Sequence, residues 1–235
     1  MTVILEKQRV VLQLQDAVLT TDPYARTVSD KLNLEVCGGD LFLIRVEQSD
    51  QISALADACA GMIQPLQGAV YFLGRDWQDL PPDLANALRG RIGQVFIRGN
   101  WIHNISVMEN ILLPQLYHTH RFIARVLKEA AELVERFGLP GVPEGLPGDF
   151  TPSDLQRAAC VRAFLGRPAL ILLREPTDGL RPEFSGALIQ TIRDARYRGA
   201  AVIWMTMEGA VWDDATIPAS HRYRLVARNL MEVDI

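Results

Sequence analysis

One stretch of the chain constrains its fold more than any other. From Ala169 to Leu173 five apolar residues follow one another without alternation, and the run stops abruptly at Arg174 and Glu175. Such a run is typical of a strand buried on both faces of a parallel sheet, because a half-exposed strand would alternate apolar and polar residues. Apolar residues at helical spacing precede it over 152–164 and follow it over 184–192. The sequence therefore predicts helix, buried strand and helix, which together indicate an α/β fold.

Further strands and helices are predicted along the chain. Residues 10–14 and 32–36 alternate apolar and polar positions and indicate antiparallel strands, whereas the apolar run Leu41 to Val46 indicates a first core strand. The remaining patterns indicate strands at 70–73, 92–98 and 200–206, helices at 81–89 and 122–137, and a closing hairpin from 223 to 235. A chain of 235 residues is long enough for one large domain, or for a core with a subdomain.

Charge and composition exclude several function classes. The net charge of -4 and the pI near 5.6 lack the basic footprint of a general nucleic-acid binder. The three cysteines are far apart and lack metal-ligand spacing, so we expect small buried hydrophobes and no metal site. The first ten residues are too charged for a signal peptide, and no apolar run approaches the roughly 20 residues that cross a bilayer. We therefore expect a cytoplasmic protein without a nucleic-acid partner.

Several segments carry motifs that share an order and a spacing. Glu175-Pro176-Thr177 follow the buried strand, and Leu180, Pro182 and Glu183 come next. Further segments are Ala60 to Gly68, Ile92 to Phe96, Val107 to Pro114 and Gln156 to Phe164. Together they resemble the nucleotide-binding domain of ATP-binding cassette (ABC) transporters, with 175–183 at its Walker B and D-loop segment.

The resemblance implies a particular α/β architecture. It makes 1–235 a single ABC-type nucleotide-binding domain whose core is a RecA-like parallel sheet flanked by helices. A small antiparallel β-subdomain accompanies this core, and a helical subdomain is inserted at 97–150. In this family the groove between core and helical subdomain receives a short cytoplasmic helix of a transmembrane subunit. We expect this partner interface to include Ile97, Trp101, Ile102 and Met108, with Trp101 as its anchor.

The resemblance also locates the phosphate-binding loop, the Walker A motif. This loop corresponds to Val46, Glu47, Gln48, Ser49, Asp50, Gln51, Ile52 and Ser53. The family motif uses glycines so that backbone N–H groups curl around phosphates, and a lysine that neutralises them. Only Ser53 matches, since Ile52 replaces the lysine and Glu47 and Asp50 add negative charge. We expect this loop not to bind a triphosphate.

Other positions that handle nucleotide in the family differ as well. Arg174 stands at the position of the magnesium-binding Asp, and Ile97 stands at that of the Q-loop glutamine. Met207 occupies the position of the switch histidine, and the segment from Phe150 to Asp154 occupies that of the signature motif. Thr21 lies near the position of the adenine-stacking aromatic residue. Thr151 is expected to cap the helix that follows. We expect neither ATP nor magnesium as a cofactor unless a partner supplies the site.

Two charged residues at the end of the buried strand carry specific expectations. Glu175 keeps the position of the family's catalytic base, but an ion-paired or solvated carboxylate is the favoured interpretation, because a base needs bound nucleotide to act on. Arg174 is expected to fill the vacant cation position and to pair with Glu47, Asp50 or Glu175, since a buried arginine is costly unless paired.

Three functions fit these residues. The leading hypothesis is a catalytically degenerate ABC subunit, a structural or regulatory partner that docks under a transmembrane transporter subunit at the inner face of the membrane. It would form a homodimer, or a heterodimer with another ABC subunit. One alternative is an atypical ATPase subunit that contributes half of a composite ATP site with an active partner cassette. The other is a soluble scaffold that has left transport. Nucleotide turnover of the complex and co-purification with a membrane protein distinguish the three.

Overall fold

The computed structural model describes residues 9–20, 29–97, 99–181 and 183–233. The position expected near the adenine, Thr21, lies outside these ranges. The strands are β1 Val10–Val18, β2 Leu32–Cys37, β3 Leu41–Val46, β4 Gln67–Phe72, β5 Arg75–Asp76, β6 Ile92–Val95, β7 Leu170–Arg174, β8 Ala201–Thr206, β9 His221–Val226 and β10 Asn229–Glu232. The helices are α1 Ser49–Cys59, α2 Pro82–Arg89, α3 Val107–His118, α4 Ile123–Arg136, α5 Pro152–Phe164, α6 Glu183–Tyr197 and α7 Gly209–Asp213.

A six-stranded sheet forms the centre of the fold. Its order is β10-β9-β3-β8-β7-β6, and its strands are parallel except that β10 returns antiparallel beside β9. Every residue of β7 and of β8 is buried, which confirms the prediction from the uninterrupted apolar run. Strands covered on both faces are expected where helices connect parallel neighbours, because each crossover lays a helix on the sheet.

A second, four-stranded sheet packs against one side of this core. Its order is β2-β1-β4-β5, and all of its pairings are antiparallel, as the alternating pattern predicts. Its inward-facing residues join one hydrophobic cluster with α1 and one face of the central sheet. The other face of the central sheet belongs to a second cluster with α3, α4, α5 and α6.

Two helices occupy the segment between β6 and α5. α3 begins at a capping box, in which the Ser106 hydroxyl accepts the Glu109 N–H at 3.1 Å and the Glu109 carboxylate accepts the Ser106 N–H at 2.7 Å. α4 places its buried side, which includes Val126, Ala130 and Val134, into the same cluster as α5. Both helices lie within 97–150, and the boundaries of an inserted subdomain stay a prediction.

Two further expectations concern membranes and cysteines. None of the helices in the part of the chain that the structure describes is long and apolar enough to cross a membrane. Cys59 and Cys160 are buried, as expected, whereas Cys37 is only half-buried at the end of β2. Burial raises the pKa of the Cys59 thiol to about 12, so this side chain stays protonated and behaves as a small hydrophobe.

Candidate functional site

The carboxyl ends of the parallel strands bring the candidate residues together. In the sheet register Arg45 of β3 lies beside Thr206 of β8, and Met205 of β8 lies beside Arg174 of β7. Gln94 of β6 is next to Leu172 one strand further along. Because all of these strands point the same way, the segments that follow them meet at one edge, where open α/β sheets bind ligands.

The expected phosphate loop is closed by one of its own side chains. α1 begins at Ser49, so the second half of the loop segment is helical. The Gln51 amide oxygen accepts the N–H groups of Glu47 and Gln48, at 3.1 and 3.2 Å. The Gln51 amide nitrogen donates to the Ala227 carbonyl at 2.8 Å. Two backbone donors at the start of the loop are therefore already satisfied within the chain.

The other loop residues also bond locally. Ile52, which stands at the lysine position, is a residue of α1 and is completely buried in the core. The Ser53 hydroxyl donates to the Ser49 carbonyl at 3.2 Å, one turn back along the helix. The Asp50 carboxylate accepts the Gln51 N–H at 2.9 Å, and the Glu47 carboxylate accepts the Ala227 N–H at 3.1 Å. Each side chain thus stabilises the helix start or the neighbouring turn.

Arg174 is paired, but its partners differ from those expected. Its Nη2 donates to the Asp57 carboxylate at 2.6 Å and to the Gln94 amide oxygen at 2.8 Å. The guanidinium carbon lies 4.8 Å from the centre of the Phe96 ring. The expectation of Glu47, Asp50 or Glu175 is therefore wrong. The Asp50 carboxylate bonds within its own loop, and the Glu47 carboxylate bonds the Ala227 N–H of the β9–β10 turn. α1 presents Asp57 to the end of β7 instead.

Asp57 is the residue of this site that the sequence patterns did not reveal. Its signal was an isolated carboxylate within the run of small and apolar residues from Ala54 to Ala60. A charge in a helix that is mostly buried requires a partner. Only the packing of α1 against β7 identifies that partner, which lies 117 positions further along the chain.

Glu175 faces the end of β8. The Thr206 hydroxyl donates to one carboxylate oxygen at 2.8 Å, and the Met207 N–H donates to the other. The residue has a φ of 47°, a left-handed conformation that non-glycine residues adopt at a cost. Burial raises the pKa of the Glu175 carboxyl, although both hydrogen bonds oppose the shift. Its carboxylate therefore ties β7 to β8. The side chain is only 6% exposed and forms no ion pair with a described residue, so the expected solvated or ion-paired carboxylate is wrong.

At the remaining motif positions the side chains are either apolar, or polar and already hydrogen-bonded. Thr151 caps α5 by accepting the Asp154 N–H at 3.1 Å, as predicted, and its hydroxyl donates to the Asp154 carboxylate at 2.7 Å. Ile97 packs against the cluster below α1. The side chain of Met207 is 40% exposed. None of the described His, Cys, Asp and Glu residues form a group of three that could hold a metal ion.

The four residues expected at a partner interface differ in exposure. Met108 is only 8% exposed and packs in the core, so it does not offer surface to a partner. Trp101 is half-buried against that core, and the Arg162 guanidinium lies 4.6 Å from its ring centre. Ile97 is half-buried, whereas Ile102 is 44% exposed. Trp101 is therefore partly a packing residue. Its replacement would disturb the core as well as any contact with a partner.

The geometry can be compared with that of known proteins. A protein-family model described as ABC transporter matches residues 53–178, which is more than half of the chain. The chain belongs to the ABC transporter family. A solved dimeric bacterial ABC transporter cassette has a TM-score of 0.78 at 21% identity, with 95% of this chain and 99% of that chain covered. At this identity the likeness shows the fold, and it confirms the expected ABC-type α/β core.

Two ATP-binding proteins of import systems are similar to this chain in sequence. The phosphonates import ATP-binding protein PhnC 1 of Ruegeria sp. (strain TM1040) is 29% identical over 174 residues, which are 71% of this chain and 68% of that protein. The methionine import ATP-binding protein MetN of Rhizobium etli is 30% identical over 180 residues, which are 76% of this chain and 50% of that protein. The matched region thus spans about half the length of MetN.

Proposed function

We propose that this chain is a catalytically degenerate ABC subunit of a membrane transport complex. The observation that carries the proposal is the closure of the phosphate loop by Gln51, whose amide oxygen accepts two N–H groups of that loop. A phosphate-binding loop needs such donors free and a cation beside them. Here the donors are occupied, and the lysine position holds the buried Ile52.

The charges around the loop support the same conclusion. Arg174 holds the Asp57 carboxylate and the Gln94 amide oxygen, which are polar groups that could otherwise face a metal ion. Glu175 is bonded to β8 through Thr206. The pocket is thus stabilised by its own side chains, and we infer that the fold is kept for its shape and its interfaces.

The proposed partner is a transmembrane transporter subunit, with the chain on its cytoplasmic side. The two relatives are named as import ATP-binding proteins, which supports a transport complex. Exposed apolar side chains lie on α3 and near it. Those on the helix are Leu113, Leu116 and Tyr117, and those near it are Met62 and Ile102. Of these, Met62 also lines a cavity of about 400 Å³, together with Phe96, Pro114 and His118, among others. We propose that a short cytoplasmic helix of the transmembrane subunit docks here. A second cassette, identical or active, completes the proposed complex.

The nucleotide arm of the proposal is tested by calorimetry. Mg-ATP titrated into the purified chain should give no saturable binding up to millimolar concentration, because Gln51 occupies two of the loop's donors and the lysine is replaced by Ile52. A parallel titration of an active ABC domain validates the assay. Micromolar binding that is lost in Ser53→Ala would refute the claim, since that binding would use the loop.

The docking arm uses membranes from the native host. The tagged chain is mixed with vesicles before and after protease treatment, which separates protein partners from lipid. Tyr117→Glu, at a residue that is 73% exposed, should release the chain from untreated vesicles. Tyr197→Glu is the matched control, because Tyr197 is 94% exposed on α6, away from the proposed groove. Equal binding of the two variants, or binding that survives protease, contradicts a protein partner at α3.

A further inference from the structure

Two arginines on neighbouring core strands, Arg45 and Arg224, take no part in the contacts of the candidate site described above. In β3 every residue is buried except Arg45, which interrupts an otherwise apolar run. Arg45 lies in parallel register with Arg224 of β9. Neighbouring strands are about 4.8 Å apart and register partners project to the same face, so the two side chains leave the sheet side by side.

Neither arginine has an acidic partner within the described ranges. The side chain of Arg45 makes no hydrogen bond or ion pair with any described residue. The Arg224 Nε is buried without a hydrogen-bond partner, and its guanidinium carbon lies 4.2 Å from the centre of the Trp212 ring. Two positive charges on neighbouring strands repel each other, and an anion bound between them would be attracted to both.

The two side chains line a cavity of about 440 Å³ at the carboxyl end of the sheet. Its other lining residues are Val46, Glu47, Met207, Leu225 and Val226. This volume is within the usual range of about 300 to 1,000 Å³ for small-molecule sites. Among the described lining residues Glu47 is the acidic one, and its carboxylate accepts the Ala227 N–H at the β9–β10 turn.

The cavity borders the first residues of the loop that Gln51 closes, Val46 and Glu47, but the arginines approach it from the face of the sheet opposite α1. Arg45 follows Leu41 and Leu43 by even steps along β3, and those residues belong to the cluster on the face opposite α1. On that face the Arg45 side chain reaches Gly209 at the start of α7, since a Cβ added to Gly209 would be 3.4 Å from Arg45 Nη2. The α1 side is lined instead by Ile44 and Ile52.

We propose that Arg45 and Arg224 form a binding site for the phosphate group of a small molecule. Two guanidinium groups supply a charge of +2 and planar donor forks, which match a phosphate dianion in charge and in geometry. The apolar side chains of Met207, Leu225 and Val226 would contact the remainder of the molecule. This inference does not depend on the proposed transport function, because neither Arg45 nor Arg224 belongs to the closed loop.

The test is calorimetry of the full chain with inorganic phosphate and with ethyl phosphate, at constant ionic strength, and with acetate as a singly charged comparison. We expect one site with a dissociation constant below about 1 mM, and weaker binding of acetate. Arg45→Gln and Arg224→Gln should each weaken phosphate binding at least tenfold. Arg75→Gln removes the same charge from an exposed position on β5 and should leave binding unchanged.

Three results would overturn the proposal. They are no phosphate binding to the parent chain, equal binding by Arg45→Gln and Arg75→Gln, and acetate binding as tight as that of phosphate. Arg224 also packs on Trp212, so its replacement can disturb the fold. Arg45→Gln therefore decides the question, with circular dichroism confirming that this variant is folded.

Discussion

The ion pair between Arg174 and Asp57 should respond unequally to the loss of its two members. The Arg174 side chain is 5% exposed, whereas that of Asp57 is 33% exposed. Removal of the carboxylate charge leaves a buried cation whose remaining partners, among the residues that the structure describes, are Gln94 and the Phe96 ring. Removal of the cation leaves a carboxylate that water reaches. We therefore expect the Asp57 variant to lose more stability than the Arg174 variant.

The magnitudes follow from this burial. One-sided loss of a fully buried ion pair costs about 3 to 5 kcal/mol. Asp57→Asn should cost about 2 kcal/mol, because the site is partly solvated, an asparagine still accepts a hydrogen bond, and Gln94 remains. Arg174→Met should change the free energy of unfolding by less than about 1 kcal/mol, since it also removes a guanidinium whose Nε has no partner among the described residues. The double variant should resemble Arg174→Met.

Urea denaturation of the four proteins, followed by circular dichroism, measures these differences as long as the denaturant slope stays constant. Asp79→Asn is the matched control, because Asp79 is an exposed carboxylate and its loss should matter by less than about 0.5 kcal/mol. If Arg174→Met costs as much as Asp57→Asn, or if the two losses simply add, the pair is not the interaction that holds this pocket together.

Two further predictions concern Glu175 and the turn after α1. Burial raises the pKa of Glu175, so the folded chain keeps this proton at pH values where the unfolded chain has lost it, and the parent should lose stability relative to Glu175→Gln as pH rises through that window. Urea unfolding from about pH 4 to about pH 8 measures this trend, and a difference that is constant or shrinks would contradict it. At Gly61, with φ +64°, an added Cβ would lie 2.3 Å from the Trp77 ring, so Gly61→Ala should cost more than about 2 kcal/mol. Gly74→Ala, with φ +77° and open space, should cost about 1 kcal/mol, and equal losses in thermal unfolding would refute the steric argument.

The sequence by itself determined the layout of the chain. Apolar runs without alternation predicted β7 and β8, and a run broken by Arg45 predicted β3, because a strand covered on both faces cannot expose alternate positions. The helical period and the following Gly138 predicted α4 to within a residue or two at each end. The missing glycines and lysine of the phosphate loop are likewise visible in the sequence, since backbone freedom and side-chain charge are local properties.

Only the tertiary structure decided which groups meet. The Arg174 contact with Asp57, the reach of Gln51 to Ala227 and the register of Arg45 with Arg224 join positions that are far apart in the sequence. Each depends on the rotation of a helix or on the order of strands, and a shift of one residue would turn the side chain to another face. The sequence therefore identifies the charges that need partners, while the packing of α1, β7 and β9 selects those partners.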